Sequence, residues 1–588
     1  MAESLIDEIE LAAQTISQSS AADDDALAQP LVAAEALPEL LEYPHLVADI
    51  FFGTDVLRDR IRGKTKLSPF DAAAQIFENG VRLHTRYSGI GMAEIACKRL
   101  EQVLCEHAAA QGFRIPGTWA GFSMESAFDL KESARTILLD HHECSRPKHV
   151  FGNMTTMLSS KAKFAFEGLA DQYGKQADER ERQARWNDMV DLLETLRQEG
   201  KLFDRRRTAW CFVHGRPCRM WSHEHEDKEF KGIRICIAGL TCKDNSTMNR
   251  NRVGFRGKSG ATLLLFIFEA LFARWDIILS ECTPLISMEP FEQMMAEYYT
   301  WESFLWGPEQ LGWWTTRRRR FTVFWLKPAH GGKVQMAAGA PRIADLLAMF
   351  ERSRPESGDG MMFAAASDEQ VQQAYRSVLS SRVKADIPAD RYISAEEMLG
   401  ETRALRLQLQ RLIYLESHGY EYGEIAKLEI ADIRALILHH VEEDGYDQVV
   451  DLEHQPRSNW AKLSRELPTL LSHGELFSLR KDRCMIADEH LASQGLAILA
   501  SSVARSASEP PWGSAWSRLS ERSKKDLAGN TINCAILMTI LALIVRVAER
   551  FAATEVPEPA EVAGNGSGGS SACHSLVQAA KRQRASGS

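Results

Sequence analysis

The sequence predicts an α/β protein built on a doubly wound, mostly parallel sheet. Three observations predict it. Three strand–helix units follow one another between Val81 and Met154. The first strand runs into a glycine turn that feeds an amphipathic helix. The later strands end in residues able to do chemistry, Cys242 and Glu281, at the sheet edge where ligands of open α/β folds bind.

In order, Val81-Arg-Leu-His-Thr-Arg-Tyr-Ser-Gly-Ile-Gly-Met-Ala-Glu94 reads as strand, glycine turn and the start of a helix through about Ala110. Gly89 and Gly91 let the backbone approach a ligand closely, and a helix start offers free N–H groups. A lone Gly-x-Gly is weak evidence, since most are simply turns. Gly121 to Asp129 is a second strand ending in an acid, where a nucleotide-binding βαβ unit grips ribose hydroxyls. Helix Glu132–Leu139 and strand His149–Met154 complete the third unit. Lys161 to Leu202 is charged, helix-prone and poor in apolar anchors, and reads as a solvated insertion. Cys211 and Cys218, with His223 and His225, put four N/S groups in a short span. Their spacing fits no common zinc finger, so an ordinary turn before the fourth strand is preferred and no metal ligand is assigned.

Ile233 to Gly239 is that fourth strand, and its loop presents Cys242. A cysteine after a strand is most often packing, but becomes a nucleophile where partners activate it. Helix Ala261–Ala273 leads to a fifth strand, Trp275 to Pro284, carrying Glu281 at its tip. Right-handed crossovers set these two strands side by side or nearly so, which brings thiol and carboxylate to one pocket. Thr316-Arg-Arg-Arg-Arg320 then enters a buried strand at the same rim, where arginines pair phosphates or a substrate oxygen.

These parts, in this order, resemble the S-adenosylmethionine-dependent DNA cytosine-5 methyltransferases. Tyr87-Ser-Gly-Ile-Gly91 is similar to the family's Phe-x-Gly-x-Gly motif for the cofactor's methionine end; Asp129 stands at its ribose acid and Asn153 at the residue contacting adenine. Ala238-Gly-Leu-Thr-Cys-Lys-Asp-Asn-Ser246 resembles Gly-x-Pro-Cys-x-x-x-Ser, so Cys242 matches the catalytic cysteine. Arg256-Gly257 resembles the next block, Ser280-Glu-Cys places Glu281 at the catalytic glutamate, and Thr316–Arg320 resembles Gln-x-Arg-x-Arg, matching Arg318 and Arg320. Arg483 to Glu489 and Leu527-Ala-Gly-Asn-Thr-Ile532 resemble the last two motifs, adding Gly529, Asn530 and Thr531 to the cofactor site. Thr241 replaces the family's loop-stiffening proline, Cys282 its asparagine and Asn153 its acid.

The resemblance implies a Rossmann-like class I methyltransferase sheet with a helical insertion and a smaller recognition lobe. It implies S-adenosyl-L-methionine as cofactor and methyl transfer to carbon 5 of a flipped cytosine in DNA. Transfer to RNA, or a weakened family member acting as a binding module, are the alternatives. The implied organisation is an N-terminal arm (1–75), a catalytic domain (76–330, insertion 158–230), a target-recognition lobe (331–480), a return segment (481–553) and a disordered tail (554–588). A dehydrogenase reading is weaker, because the glycine turn lacks the third glycine of the dinucleotide fingerprint.

Composition sets the outer limits. At 588 residues the chain exceeds one simple core. A net charge of -10 argues against nucleic-acid binding over the whole surface, leaving local basic patches. Eleven irregularly spaced cysteines suit reduced intracellular thiols. The acidic N-terminus resembles no targeting peptide, and the apolar run Cys534–Val545 is too short to span a bilayer. No membrane partner is expected, and Lys581-Arg-Gln-Arg584 hints at the nucleus.

Overall fold

The computed structural model describes residues 69–110, 112, 119–173, 177–221, 230–240, 243–245, 253–257, 259–312, 315–351, 367–444, 448–454, 467, 474–496 and 512–551. Its centre is a seven-stranded sheet of β1 (Val81–Arg86), β2 (Phe122–Phe128), β3 (His149–Phe151), β6 (Ile233–Gly239), β7 (Ile277–Cys282), β8 (Tyr299–Trp306) and β9 (Arg319–Leu326). The spatial order is β3-β2-β1-β6-β7-β9-β8. The first five strands pair in parallel and β9 is antiparallel to both its neighbours. The order reverses between β1 and β6, so this is the expected Rossmann-like methyltransferase fold, with its switch point beside the glycine turn. Strand β8 has no counterpart in the sequence reading, because Tyr299–Trp306 alternates only loosely and is half exposed.

Strand alternation divides the core between two faces. On β7, Ile277 and Leu279 join a cluster with Leu100, Leu104, Ile540 and Leu541, from helices Met92–Ala110 and Cys534–Val547. Ile278 and Cys282 face the other way, into a cluster with Leu264 and Phe268 of helix Gly260–Ala273. Helix Cys534–Val547 is buried at every position, as a helix apolar all round must be, and serves as a core element. The end of β1 is tied to helix Gly260–Ala273 by a fully buried ion pair, Arg86 to Glu269 at 2.6 Å. Removing one member of such a pair would strand a buried charge at a cost of about 3–5 kcal/mol.

Several expectations need correction. The insertion is more than solvated surface: Met189, Leu193 and Leu196 of helix Glu179–Gln198 and Phe166 of helix Ser160–Tyr173 join the second core cluster. Those apolar residues lie at helical spacing, where a few anchors amid many charges still make one buried stripe. Cys211 to Cys218 is not a plain turn before the fourth strand but the bend of a separate hairpin, β4 (Thr208–Cys211) with β5 (Arg216–Arg219). Within the N-terminal arm, Pro69–Phe77 is a helix whose Ala73, Ile76 and Phe77 enter the core; residues 1–68 lie outside the described residues.

In the stretch assigned to target recognition, Val334, Ile343 and Leu347 belong to the sheet's own core. A separate cluster holds Val371, Leu407, Ile433, Val450 and Cys484. Within the stretch, helices Ala395–Leu399 and Glu401–Ser417 are separated by Gly400 at φ +77°.

Candidate active site

The turn after β1 is held by hydrogen bonds to the tip of β2. Tyr87 adopts a left-handed φ of +54°, a strain of about 1–3 kcal/mol for a non-glycine residue, and its hydroxyl donates to the Thr262 carbonyl at 3.0 Å. Burial raises that phenol's pKa well above its ordinary value. The Ser88 N–H donates to the Phe128 carbonyl at 3.1 Å, and its Oγ accepts from the Phe128 N–H at 3.2 Å. The Gly89 N–H donates to Asp129 Oδ2 and the Lys131 N–H to Oδ1, both at 2.8 Å. Burial raises the Asp129 pKa, with those two donors opposing the shift. The acid at the second strand's tip therefore fastens the glycine turn, and its remaining lone pairs stay available.

The two glycines act differently. A Cβ on Gly89 would lie 4.0 Å from Thr531 Oγ1, whereas one on Gly91 would come within 2.5 Å of His141 Cε1. Gly91 serves close packing: the ring that fills its place hydrogen-bonds through Nε2 to the Ile90 carbonyl at 2.8 Å. Burial lowers the His141 pKa to about 4. Glu94 is fully buried, accepts from Thr85 Oγ1 at 2.6 Å, and desolvation raises its pKa to about 7. Asn153 is exposed and caps the short helix Met154–Met157, accepting from the Thr155 N–H at 2.9 Å.

The return segment meets this turn. Arg317 Nη2 donates to the carbonyls of Gly529 and Thr531, each at 3.0 Å. Asn530 turns away, donating to Asp526. Thr531 Oγ1 is buried without a hydrogen-bond partner among the described residues, an arrangement that costs free energy unless a polar group meets it. Earlier in the return segment, Arg483 and Glu489, both fully buried, form a two-pronged ion pair.

At the tips of β6 and β7, Gly239 lies opposite Glu281 and the Leu240 N–H donates to the Glu281 carbonyl at 2.8 Å. Thr241 and Cys242 lie outside the described residues. The chain beyond them is held by Asp244, whose Oδ2 accepts from the Ser259 N–H at 2.6 Å and the Ser259 hydroxyl at 2.7 Å. Asn245 is buried, and its carbonyl accepts from Thr283 Oγ1 at 3.1 Å. Both flanks of Cys242 are thus secured close to Glu281's strand.

Strand register decides which arginine meets Glu281. Arg319, rather than Arg318 or Arg320, reaches Glu281, with Nε 3.1 Å from Oε1. The cause is pleating: Phe321 is the direct partner of Glu281, so Arg319, two residues on, shares its face. Arg320 pairs with Cys282 on the other face, donating to the Pro284 carbonyl at 3.1 Å and Ser303 Oγ at 3.3 Å, and burial lowers its pKa. Arg318 is mostly exposed, 3.5 Å from Glu309. Arg319 thus shares the face of Glu281, Arg320 that of Cys282, and Arg317 meets the return segment.

No protein-family model matches the sequence, and no curated protein matches it. Among solved structures, one similar chain is described as a DNA modification methyltransferase encoded within an E. coli prophage. It has 12% identity and a TM-score of 0.35, covering 80% of this chain and 99% of that one. The Entamoeba histolytica methyltransferase EhMeth matches at 11% identity and TM-score 0.32, covering 79% and 98%. S. pombe Dnmt2 methyltransferase matches at 12% identity and TM-score 0.33, covering 79% and 97%.

Proposed function

We propose that this chain transfers the methyl group of S-adenosyl-L-methionine to carbon 5 of cytosine in DNA. The observation that carries the reading is Glu281 at the carboxyl tip of β7, paired with Arg319 and adjoining the strand from which the Cys242 loop departs. The residues around the glycine turn fit the cofactor. Gly89 at φ +56° leaves room in front of Thr531, whose buried hydroxyl has no partner among the described residues, and Asp129 retains free lone pairs at the second strand's tip. Gly89, Asp129 and Thr531 would hold the cofactor, with Arg317 fixing the backbone that carries Thr531. When bound, it supplies a methyl group on a positively charged sulfur.

The protein's own part is to make a poor nucleophile reactive. Cys242 adds as a thiolate to carbon 6 of the cytosine ring, and the new S–C bond leaves carbon 5 electron-rich. Glu281 holds the ring at N3 by proton donation or a hydrogen bond, stabilising charge as it develops. Arg319 orients that carboxyl and, from the same face, the base's carbonyl oxygen. Once carbon 5 carries the transferred methyl, loss of its proton to water re-forms the ring double bond, breaks the S–C bond and frees Cys242 as thiolate. The base must leave its stack for these contacts to form. A nuclear destination rests on Lys581-Arg-Gln-Arg584 alone, outside the described residues.

The test is a covalent trap: 5-fluorocytosine-containing DNA with labelled cofactor, in which the fluorine blocks the final elimination. A labelled protein–DNA adduct with the native chain and none with Cys242→Ala is expected. No adduct, or the same adduct from both proteins, would overturn the assignment. Competition with tRNA separates a DNA from an RNA substrate.

A further inference from the structure

We propose that His149, Cys211, His214 and Cys218 bind one zinc ion, which clasps the β4–β5 hairpin of the insertion to the edge of the central sheet. His149 opens β3; the other three lie on the hairpin, at the end of β4, in the turn and on β5. Their donor atoms all lie within 4.8 Å of one another. Cys211 Sγ is 3.7 Å from His149 Nδ1 and 3.3 Å from His214 Nδ1, and Cys218 Sγ is 3.5 Å from His214 Nδ1. A tetrahedral zinc with Zn–S of about 2.3 Å and Zn–N of about 2.0–2.1 Å sets its donors about 3.3–3.8 Å apart. Two thiolates with two imidazoles are the donors of closed structural sites, as distinct from catalytic sites that keep a position open.

The hairpin itself supplies the second argument. Its strands are four residues each and largely exposed; Trp210 stands 53% exposed and Cys211 is the one fully buried residue among those strand positions. A two-stranded hairpin with so little apolar burial is marginal by itself. Yet it is placed accurately against β3, with the Phe212 N–H donating to the Val150 carbonyl at 2.9 Å and the Phe212 ring lying under the Arg135 guanidinium at 4.4 Å. The turn is closed by the Gly215 N–H to the Cys211 carbonyl at 2.9 Å, with Gly215 at φ +58°. A metal bridging hairpin and sheet supplies the stabilisation that burial does not. Sequence spacing concealed the site, because one ligand comes from β3, far up the chain. His223 and His225, which spacing suggests instead, lie outside the described residues.

The test uses the full-length chain expressed in zinc-supplemented medium. Elemental analysis should find about one zinc per chain. His149→Ala, His214→Ala and Cys218→Ser should each lose the metal, whereas the double variant His223→Ala/His225→Ala keeps it. Because buried Cys211 variants can fail to fold, the second measurement is spectroscopic. Cobalt(II) added to zinc-stripped protein should give visible tetrahedral d–d absorption and a thiolate-to-cobalt band that weakens in Cys218→Ser while far-UV circular dichroism is unchanged. Zinc-free protein that also gives no tetrahedral cobalt spectrum, a Cys211–Cys218 disulfide in the protein as purified, or metal lost only with His223 and His225 would overturn the proposal.

Discussion

The two sides of the switch point are built on different principles. On the β1–β2 side, the glycine turn is fastened by backbone N–H groups: Ser88 to a carbonyl, Gly89 and Lys131 to one carboxylate. On the β7–β9 side the fastening is by long charged side chains, Arg319 to Glu281 and Arg317 to two carbonyls of the return segment. The first arrangement is made by main-chain donors and fixed by φ angles, so it suits a fixed binding surface. The second sets two nearly buried charges side by side and ties the start of β9 to a return segment 212 to 214 residues on, which suits handling charge as it develops on a substrate. Rigidity on one side and reactivity on the other can therefore be perturbed separately.

Gly91→Ala breaks the first side. Its φ of +83° disfavours a side chain, and the new methyl would meet the His141 ring, held by its own hydrogen bond. Strain and overpacking together predict a loss of about 3–5 kcal/mol, measurable by urea unfolding. Unchanged stability would mean that the turn is slack. Arg319→Ala breaks the second. Chemical denaturation should show a loss of about 1–3 kcal/mol, because Glu281 keeps its burial and loses its partner, while single-turnover methyl transfer by the folded variant should fall about 10²–10³-fold, the scale of losing one donor to a developing charge. A loss no greater than that of Arg320→Ala would show that the Glu281 contact is only structural.

A pH measurement sharpens the contrast. The folded Glu94 carboxyl has its pKa raised from 4.5 to about 7 by desolvation, so the folded state holds the proton longer than the unfolded chain does. Stability from this group is therefore undiminished below about pH 4.5, falls as pH rises towards 7, and is level above that. Glu94→Gln removes the slope, and near pH 8 the variant should be more stable by up to about 3 kcal/mol. His141, with its folded pKa lowered to about 4, acts in the opposite direction between that pH and about 6.5. The difference between native and variant curves isolates Glu94. Parallel curves from pH 5 to 8 would remove the buried acid from the account.

What was legible in the sequence follows the same division. Gly89, Gly91 and Asp129 could be read because glycines mark special backbone angles and an acid at a strand tip is a local feature. The insertion's buried stripe was obscured by charges on either side of Met189 and Leu193. The register of the arginines could not be read at all: four identical residues carry no phase, and only the pairing of Glu281 with Phe321 decides which of them shares the face of Glu281. The same limit hid His149, which joins Cys211 only after β3 and the hairpin come together.

The smallest expected effect decides that register. Arg318 is 62% exposed at its side chain, and its nearest acid is Glu309 at 3.5 Å. With the guanidinium in solvent and Glu309 also bound by the Arg317 N–H, the pair contributes about 0–1 kcal/mol, so Arg318→Ala should leave folding almost untouched and kcat within about twofold of native. Whatever it contributes should appear in DNA affinity and fade with added salt, as a surface contact with phosphate would. If Arg318→Ala instead abolishes turnover while Arg319→Ala spares it, the strand must shift by one residue when substrate binds. The even-numbered pair, Arg318 and Arg320, would then be the working one, as the Gln-x-Arg-x-Arg spacing implies.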